Sequence, residues 1–247
     1  MVLGGFTHSA ETFPILGVFL KPITEEFGWT RSQFTGAMTI GTILGSVIAV
    51  GIGPMLDRYG GRWLMTIGFI VLGLSFLLMG GMSTIWHFYV LQIAGRMFHM
   101  GIISVGMMVI VPQWFVLKRG KAVGISGLGS RFGGTVWPLV TQALVTSVGW
   151  RFASLAVGGS ALLFGALPAA IFLRRRPEDM GLRPDGAPQA EIGIDGKFLK
   201  GAPVRDDVSL TVRQVIRTRA FYLITASFSM LFLASSATNL HLIPHLT

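Results

Sequence analysis

Five ionisable side chains interrupt long apolar stretches of this 247-residue chain: His8, Glu11, Arg96, His99 and Arg131. A charge near the centre of a bilayer costs at least about 2.5–3.5 kcal/mol, so such residues usually face a polar cavity or a partner. His8 and Glu11 stand three residues apart, as do Arg96 and His99, so each pair would share one helical face. These five residues are therefore the candidates for contact with a solute or an ion.

The residue types narrow the chemistry that such a pathway could perform. An Arg guanidinium forms charge-assisted hydrogen bonds with carboxylates, so Arg96 could hold an anionic ligand or form a structural ion pair with Glu11. For His8 and His99, a hydrogen-bonded packing role competes with a place in the pathway. Arg131 lies among small residues suited to close helix approach, where substrate contact and structural pairing are equally open.

The composition predicts that membrane helices position these residues. Hydrophobic residues make up 51% of the chain and charged residues 13%, about half the charged share of soluble domains. Apolar runs predict seven transmembrane helices, roughly over residues 2–22, 33–54, 63–82, 86–112, 120–146, 152–173 and 220–244. We therefore expect an all-α, polytopic membrane protein. It would comprise a six-helix transmembrane bundle (1–173), a cytoplasmic central loop ending in an amphipathic helix (174–219) and a seventh transmembrane helix (220–247).

The distribution of basic residues predicts the orientation of these helices. If the chain changes sides at each span, fifteen of the 20 Lys and Arg residues lie in the second, fourth and sixth connections, and three lie in the others. When the long sixth connection is left out, the second and fourth connections hold five Lys and Arg residues against three in the others. The bias therefore has the same sign. The basic connections are expected in the cytoplasm, which places the N-terminus inside a cell (inner) membrane. The net charge of +9 is then a topological bias and does not indicate nucleic-acid binding.

The connection between the second and third spans carries a motif, Gly53-Pro-Met-Leu-Asp57-Arg58-Tyr-Gly60-Gly61-Arg62. Its spacing resembles the G-x-x-x-D-R-x-G-x-R signature that the major facilitator superfamily carries in the same loop. We expect a cytoplasmic turn whose glycines permit a tight reversal with positive φ, and whose acid pairs with a neighbouring Arg or caps a helix. A solvated turn whose basic residues only fix topology is the alternative. The resemblance implies a gating contact between the acid and a helix of a second half.

Three other segments extend the resemblance to the branch that contains monocarboxylate transporters and the oxalate:formate antiporter. They are Phe27-Gly-Trp-Thr-Arg-Ser, Trp114-Phe-Val-Leu-Lys118-Arg119-Gly120-Lys-Ala, and the run Arg-Arg-Arg-Pro-Glu-Asp-Met-Gly-Leu-Arg-Pro-Asp at 174–185. The resemblance implies secondary active transport of a small, anionic organic solute such as a monocarboxylate, by alternating access. Protons or a counter-transported anion would be coupled to it, and neither a cofactor nor a metal is implied.

Family members have twelve helices, and this chain matches the first six-helix half, the central loop and the first helix of the second half. The missing C-terminal half, or a second copy, is expected to complete the cavity. A non-transporting membrane remnant of a truncated gene is one alternative. An intramembrane serine protease is another, since Gly124-Ile-Ser126-Gly127 fits G-x-S-G, although one such match is weak in a chain with 33 Gly. The resemblance favours a transporter that is not an enzyme.

The topology can be tested by labelling, because the chain contains no Cys. Single Cys residues introduced at positions 60, 120 and 190 are expected to resist a membrane-impermeant thiol reagent applied outside intact cells, and to react after permeabilisation. Strong labelling of any of the three from outside would reverse the predicted orientation.

Overall fold

The computed structural model describes residue 7 and residues 13–115, 118–174 and 212–242 of the chain. Within these ranges the regular structure is helical and no strand occurs. The chain divides into two compact units, Met1–Gln189 and Ala190–Thr247. The predicted first span begins outside the described residues. Most of the predicted central loop also lies outside them.

The helices of the first unit follow each other through short turns. They are α1 (Phe13–Phe27), α2 (Arg31–Tyr59), α3 (Gly61–Met79), α4 (Ile85–Phe98), a π-helical segment (His99–Ile103), α5 (Ser104–Trp114), α6 (Arg119–Val148), α7 (Trp150–Ser160), a second π-helical segment (Ala161–Ala166) and α8 (Leu167–Phe172). The second unit contains α9 (Val212–Ile216) and α10 (Arg219–Leu242). The all-α prediction is confirmed, and helices occupy most of the described part of every predicted span.

Within the described ranges, four continuous stretches are long and apolar enough to cross a membrane. They cover Arg31–Leu56, Gly61–Met79, Ile85–Pro112 and Trp150–Phe172. The third and fourth continue through the two π-helical segments, where the backbone hydrogen bonds lengthen from i→i+4 to i→i+5. The long α6 is less apolar, since Gly, Ser, Thr and Arg131 are spread along it.

The helices of the first unit pack as interleaved pairs. Helix α2 packs against α4 and the π segment that follows it, α3 packs between α4 and α7, and α1 contacts α6. The apolar core between them includes Phe19, Phe69, Phe76 and Phe88, each at most 1% exposed. Large apolar side chains also remain exposed along α3 and α8, as expected of helices that face hydrocarbon.

The turn between α2 and α3 is shorter than the sequence suggested. Residues Gly53–Tyr59 continue α2 as helix, so the expectation of a turn throughout the motif is wrong for these positions. A single residue, Gly60, ends α2 and begins α3 with a φ of 80°. A Cβ added at Gly61 would enter space filled by the Ile110 side chain of α5, which explains the second glycine by packing instead of by φ.

The crossing of α3 and α7 brings two backbones together at Gly158. A Cβ added there would lie 2.6 Å from the carbonyl oxygen of Gly73 and 2.8 Å from the amide nitrogen of Leu77. These distances are shorter than van der Waals contact, and backbone atoms inside a helix cannot move aside easily. Only glycine therefore fits at this crossing.

This crossing yields a stability prediction with a matched control in the next residue. Gly158→Ala is expected to lower the thermal unfolding temperature of the purified chain, by overpacking that costs about 1–3 kcal/mol. Gly159→Ala gains the same helix propensity but meets nothing within 4 Å, so it should leave that temperature unchanged or raise it. Equal unfolding temperatures for the two variants would show that α3 and α7 do not cross this closely.

Candidate functional site

Arg96 is completely buried, and it lies near the end of α4 where α4 packs against α2. Its Nε donates a hydrogen bond to Oγ1 of Thr42 on α2, at 3.0 Å. The Thr42 hydroxyl donates in turn to the carbonyl oxygen of Met38, at 2.8 Å. The Thr42 oxygen is thereby oriented as an acceptor for the guanidinium, so two helices hold this cation in place inside an apolar bundle.

Three glycines allow α2 and α4 to approach at this level. A Cβ on Gly41 would lie 2.8 Å from Cβ of Arg96, and one on Gly45 would lie 2.8 Å from Cβ of Met100. On the opposite side of the crossing, a Cβ on Gly101 would lie 3.1 Å from the carbonyl oxygen of Gly45. The close approach shortens the distance between Arg96 and Thr42, because almost no side-chain volume lies between the two helices at the glycines.

His99 is the first residue of the π-helical segment and is 2% exposed. Its carbonyl oxygen accepts hydrogen bonds from both the backbone N–H and the hydroxyl of Ser104, five residues ahead. Such π-bulges inside α-helices recur at functional sites, because the widened turn changes the direction in which neighbouring side chains point. Arg96 and His99 are thus both buried in the helical bundle, within one turn of each other along the chain.

Of the other three candidates, one lies away from this buried pair and two lie outside the described residues. Arg131 is exposed on α6, where its carbonyl oxygen accepts the Thr135 hydroxyl. His8 and Glu11 lie outside the described residues, so the predicted meeting of Glu11 with Arg96 stays a prediction. Thr42 is the residue that sequence reasoning missed. A threonine in an apolar helix gave no signal, because such hydroxyls commonly bond to their own helix.

The signature motif contributes its basic residues to one end of the bundle. The Arg62 Nε donates to the carbonyl oxygen of Ala170 on α8, at 2.7 Å, and so ties the α2–α3 turn to the end of α8. The exposed Arg58 lies over the ring of Tyr59, with 5.3 Å between the guanidinium carbon and the ring centroid. The predicted ion pairs of Asp57 stay untested, because its side chain lies outside the described part of the structure.

The opposite end of α3 carries a polar cluster that the sequence did not reveal. Glu26, at the end of α1, accepts a hydrogen bond from the indole N–H of Trp150 and another from the guanidinium of Arg151, each at 2.6 Å. Arg151 also donates to the carbonyl oxygen of Gly80 just beyond α3, at 2.9 Å. The Trp150 and Arg151 hydrogen bonds hold the pKa of Glu26 below its ordinary value of 4.5. Glu26 and Arg151 together therefore join the ends of α1, α3 and α7.

A repeated dipeptide could have indicated this cluster. Gly28 and Gly149 both have positive φ, at 67° and 91°, and each is followed by a Trp. The two Trp residues meet through Phe27, which stacks on Trp29 at 4.6 Å between ring centroids and meets Trp150 edge-on at 6.2 Å. The repeat places equivalent turns at the same end of the bundle, as related helix repeats would.

These features define the class of the protein: a helical membrane protein with a buried cation at a glycine-lined helix crossing. The sequence matches the family model "Major Facilitator Superfamily" over residues 1–246. The chain belongs to the major facilitator superfamily, a family of membrane transporters that move small solutes, and the resemblance seen in its motifs is confirmed.

Curated relatives share this family at low identity. The chain is 29% identical to the MFS-type transporter pytF of Aspergillus terreus over 183 residues, which cover 70% of this chain and 60% of pytF. It is 31% identical to the probable nitrate transporter NarT of Staphylococcus epidermidis, over 56% of this chain and 35% of NarT. It is 26% identical to monocarboxylate transporter 6 of Mus musculus, over 66% of this chain and 36% of that protein. The matched region is therefore less than two thirds of each relative's length.

The cluster around Glu26 predicts a pH-dependent contribution to stability. Because the folded-state pKa of Glu26 is lowered, its stabilising effect is complete above about pH 4.5 and is lost as the pH falls through the lowered value. Glu26→Gln should lower the thermal unfolding temperature at pH 7, by a contribution of about 0.2–1 kcal/mol for this exposed pair, and the difference should shrink at more acidic pH. Glu25→Gln, which removes the neighbouring carboxylate, is the matched control. A difference between wild type and Glu26→Gln that is independent of pH would contradict the assignment.

Proposed function

We propose that this chain forms the first half of a secondary transporter for a small organic anion, such as a monocarboxylate, and that Arg96 contacts the anion. The observation that carries the proposal is the burial of the Arg96 guanidinium with Thr42 as an acceptor. The guanidinium is a buried cation at a helix crossing, and a carboxylate that approached it would gain a charge-assisted hydrogen bond. The alternative of a structural ion pair with Glu11 makes the same charge unavailable.

Membership of this family favours an alternating-access mechanism. In such transporters two halves rock around a site near the bilayer midplane, and each half contributes one wall. Arg131 supports this arrangement, because α6 presents an exposed guanidinium between Leu128 and Phe132, on a surface otherwise suited to contact with other helices. We place Arg131 on the wall that faces the second half, where it is a second cationic contact for solute or partner helix.

The names of several relatives support an anionic solute. A probable nitrate transporter, a probable chloroplastic anion transporter of Arabidopsis thaliana and a monocarboxylate transporter are among them. Anions of this size share a planar group of oxygens that matches the guanidinium fork. The proposal also includes a cell (inner) membrane location with a cytoplasmic N-terminus, and either protons or a counter-transported anion as the coupled species.

Transport of labelled formate, oxalate and lactate tests this proposal directly. Uptake is measured in proteoliposomes that contain these residues together with a second six-helix half. Arg96→Ala is expected to abolish uptake. Arg96→Lys keeps the charge but loses the fork, so it should raise the half-saturation constant about 10- to 100-fold, since a hydrogen bond to a charged group contributes about 1.5–3 kcal/mol.

Arg31→Ala is the matched control, because Arg31 is an exposed Arg at the start of α2. It should transport normally. If both Arg96 variants transport at the wild-type rate and differ only in thermal stability, Arg96 is structural. If the protein moves none of the three anions but moves an organic cation, the proposed solute class is wrong.

A further inference from the structure

An apolar groove of about 330 Å³ opens beside α8, at the end of the bundle that carries the signature motif. It lies between α3, α5 and the stretch from the second π-helical segment to the end of α8. Met65, Phe69, Met107, Val111, Phe164 and Phe172 supply much of its wall. A volume of this size falls in the range of small-molecule and cofactor sites, and its lining requires an apolar occupant.

The groove opens towards the surface that faces hydrocarbon. Phe172 and Phe164, which line it, are 77% and 41% exposed. The other exposed positions between residues 163 and 171 of the same stretch are also large and apolar, and recur every four residues: Leu163, Leu167 and Ile171. A helix face without a polar side chain is the kind that contacts lipid tails. The groove is therefore reached from the bilayer, and an acyl chain is the apolar group available there.

The mouth of the groove is basic. Arg174 is part of the lining and is exposed. Arg62 is bonded to the carbonyl oxygen of Ala170 on the adjacent end of α8, so a second guanidinium lies close to the opening. Trp114 also lines the groove, and tryptophan is enriched at the level of lipid headgroups. An acyl chain in the groove would thus have its headgroup among cations.

We infer that this groove binds one acyl chain of an anionic phospholipid, with the headgroup phosphate against Arg174. Both parts of the occupant are specified: the tail by the apolar wall, and the negative headgroup by the basic mouth. The inference is independent of the transported solute, because Arg96 is not part of the groove. Basic pockets between helices on the cytoplasmic side are suited to such lipids, and the basic end of this bundle is the one predicted to be cytoplasmic.

Fluorescence quenching by brominated lipids tests the inference on the whole 247-residue chain. The chain is reconstituted in equimolar phosphatidylglycerol and phosphatidylcholine vesicles. The bromines are placed on the acyl chains of one lipid or of the other. The difference in quenching between the wild type and Trp114→Phe gives the contribution of Trp114. We expect this contribution to be about fivefold greater with brominated phosphatidylglycerol, the preference that one basic residue near an anionic headgroup gives.

Arg174→Gln should remove the preference and leave the fold intact, since Arg174 is exposed. Arg58→Gln removes another exposed Arg of the same unit that does not line the groove, and should keep the preference. Equal quenching by both lipids would show that the groove does not select the anionic headgroup and would overturn the inference. Absence of any Trp114 contribution would also overturn it, because the groove would then be closed to lipid or filled by another part of the protein.

Discussion

The burial of one positive charge imposes the main constraint on this bundle. A guanidinium at membrane depth is costly unless it is hydrogen-bonded and kept from lipid, so the helices around Arg96 must surround it completely. Thr42 supplies one acceptor, and its own hydrogen bond to Met38 fixes the direction of that acceptor. A cation held in this way is already positioned, and the proposed contact with an anion would then require less ordering.

Glycine contacts make that enclosure possible. The α2–α4 crossing at Gly41 and Gly45 brings the Thr42 hydroxyl within reach of Arg96, and the α3–α7 crossing at Gly158 supports α4 from its other side through α3. In a membrane, helices are held by packing and hydrogen bonds more than by the hydrophobic effect, so contact between backbones is the main source of stability. The polar cluster of Glu26, Trp150 and Arg151 then fixes the end of the same bundle outside the apolar layer.

Much of the helical architecture was predictable from the sequence, because the length of an apolar helix follows directly from the dimensions of a bilayer. The family signature also identified the α2–α3 connection, and the positive φ of Gly60 was expected. The extent of that turn was not predicted correctly, because Gly53 and Pro54 are typical turn residues although α2 continues through both. Contacts between residues that are distant in the sequence were harder still to predict. Thr42 and Arg96 are 54 residues apart, and Glu26 and Trp150 are 124 apart, so no local pattern links them.

The central proposal is that the buried Arg96 contacts an anion. The most direct measurement is the thermal unfolding temperature of the purified 247-residue chain in increasing oxalate, with chloride at equal ionic strength as the reference. A ligand that binds only the folded state raises this temperature in proportion to the logarithm of its concentration once its sites are filled. We predict such a rise for the wild type and for Arg31→Ala, and none for Arg96→Gln. An equal rise in all three proteins would contradict the claim, because the anion would then bind elsewhere.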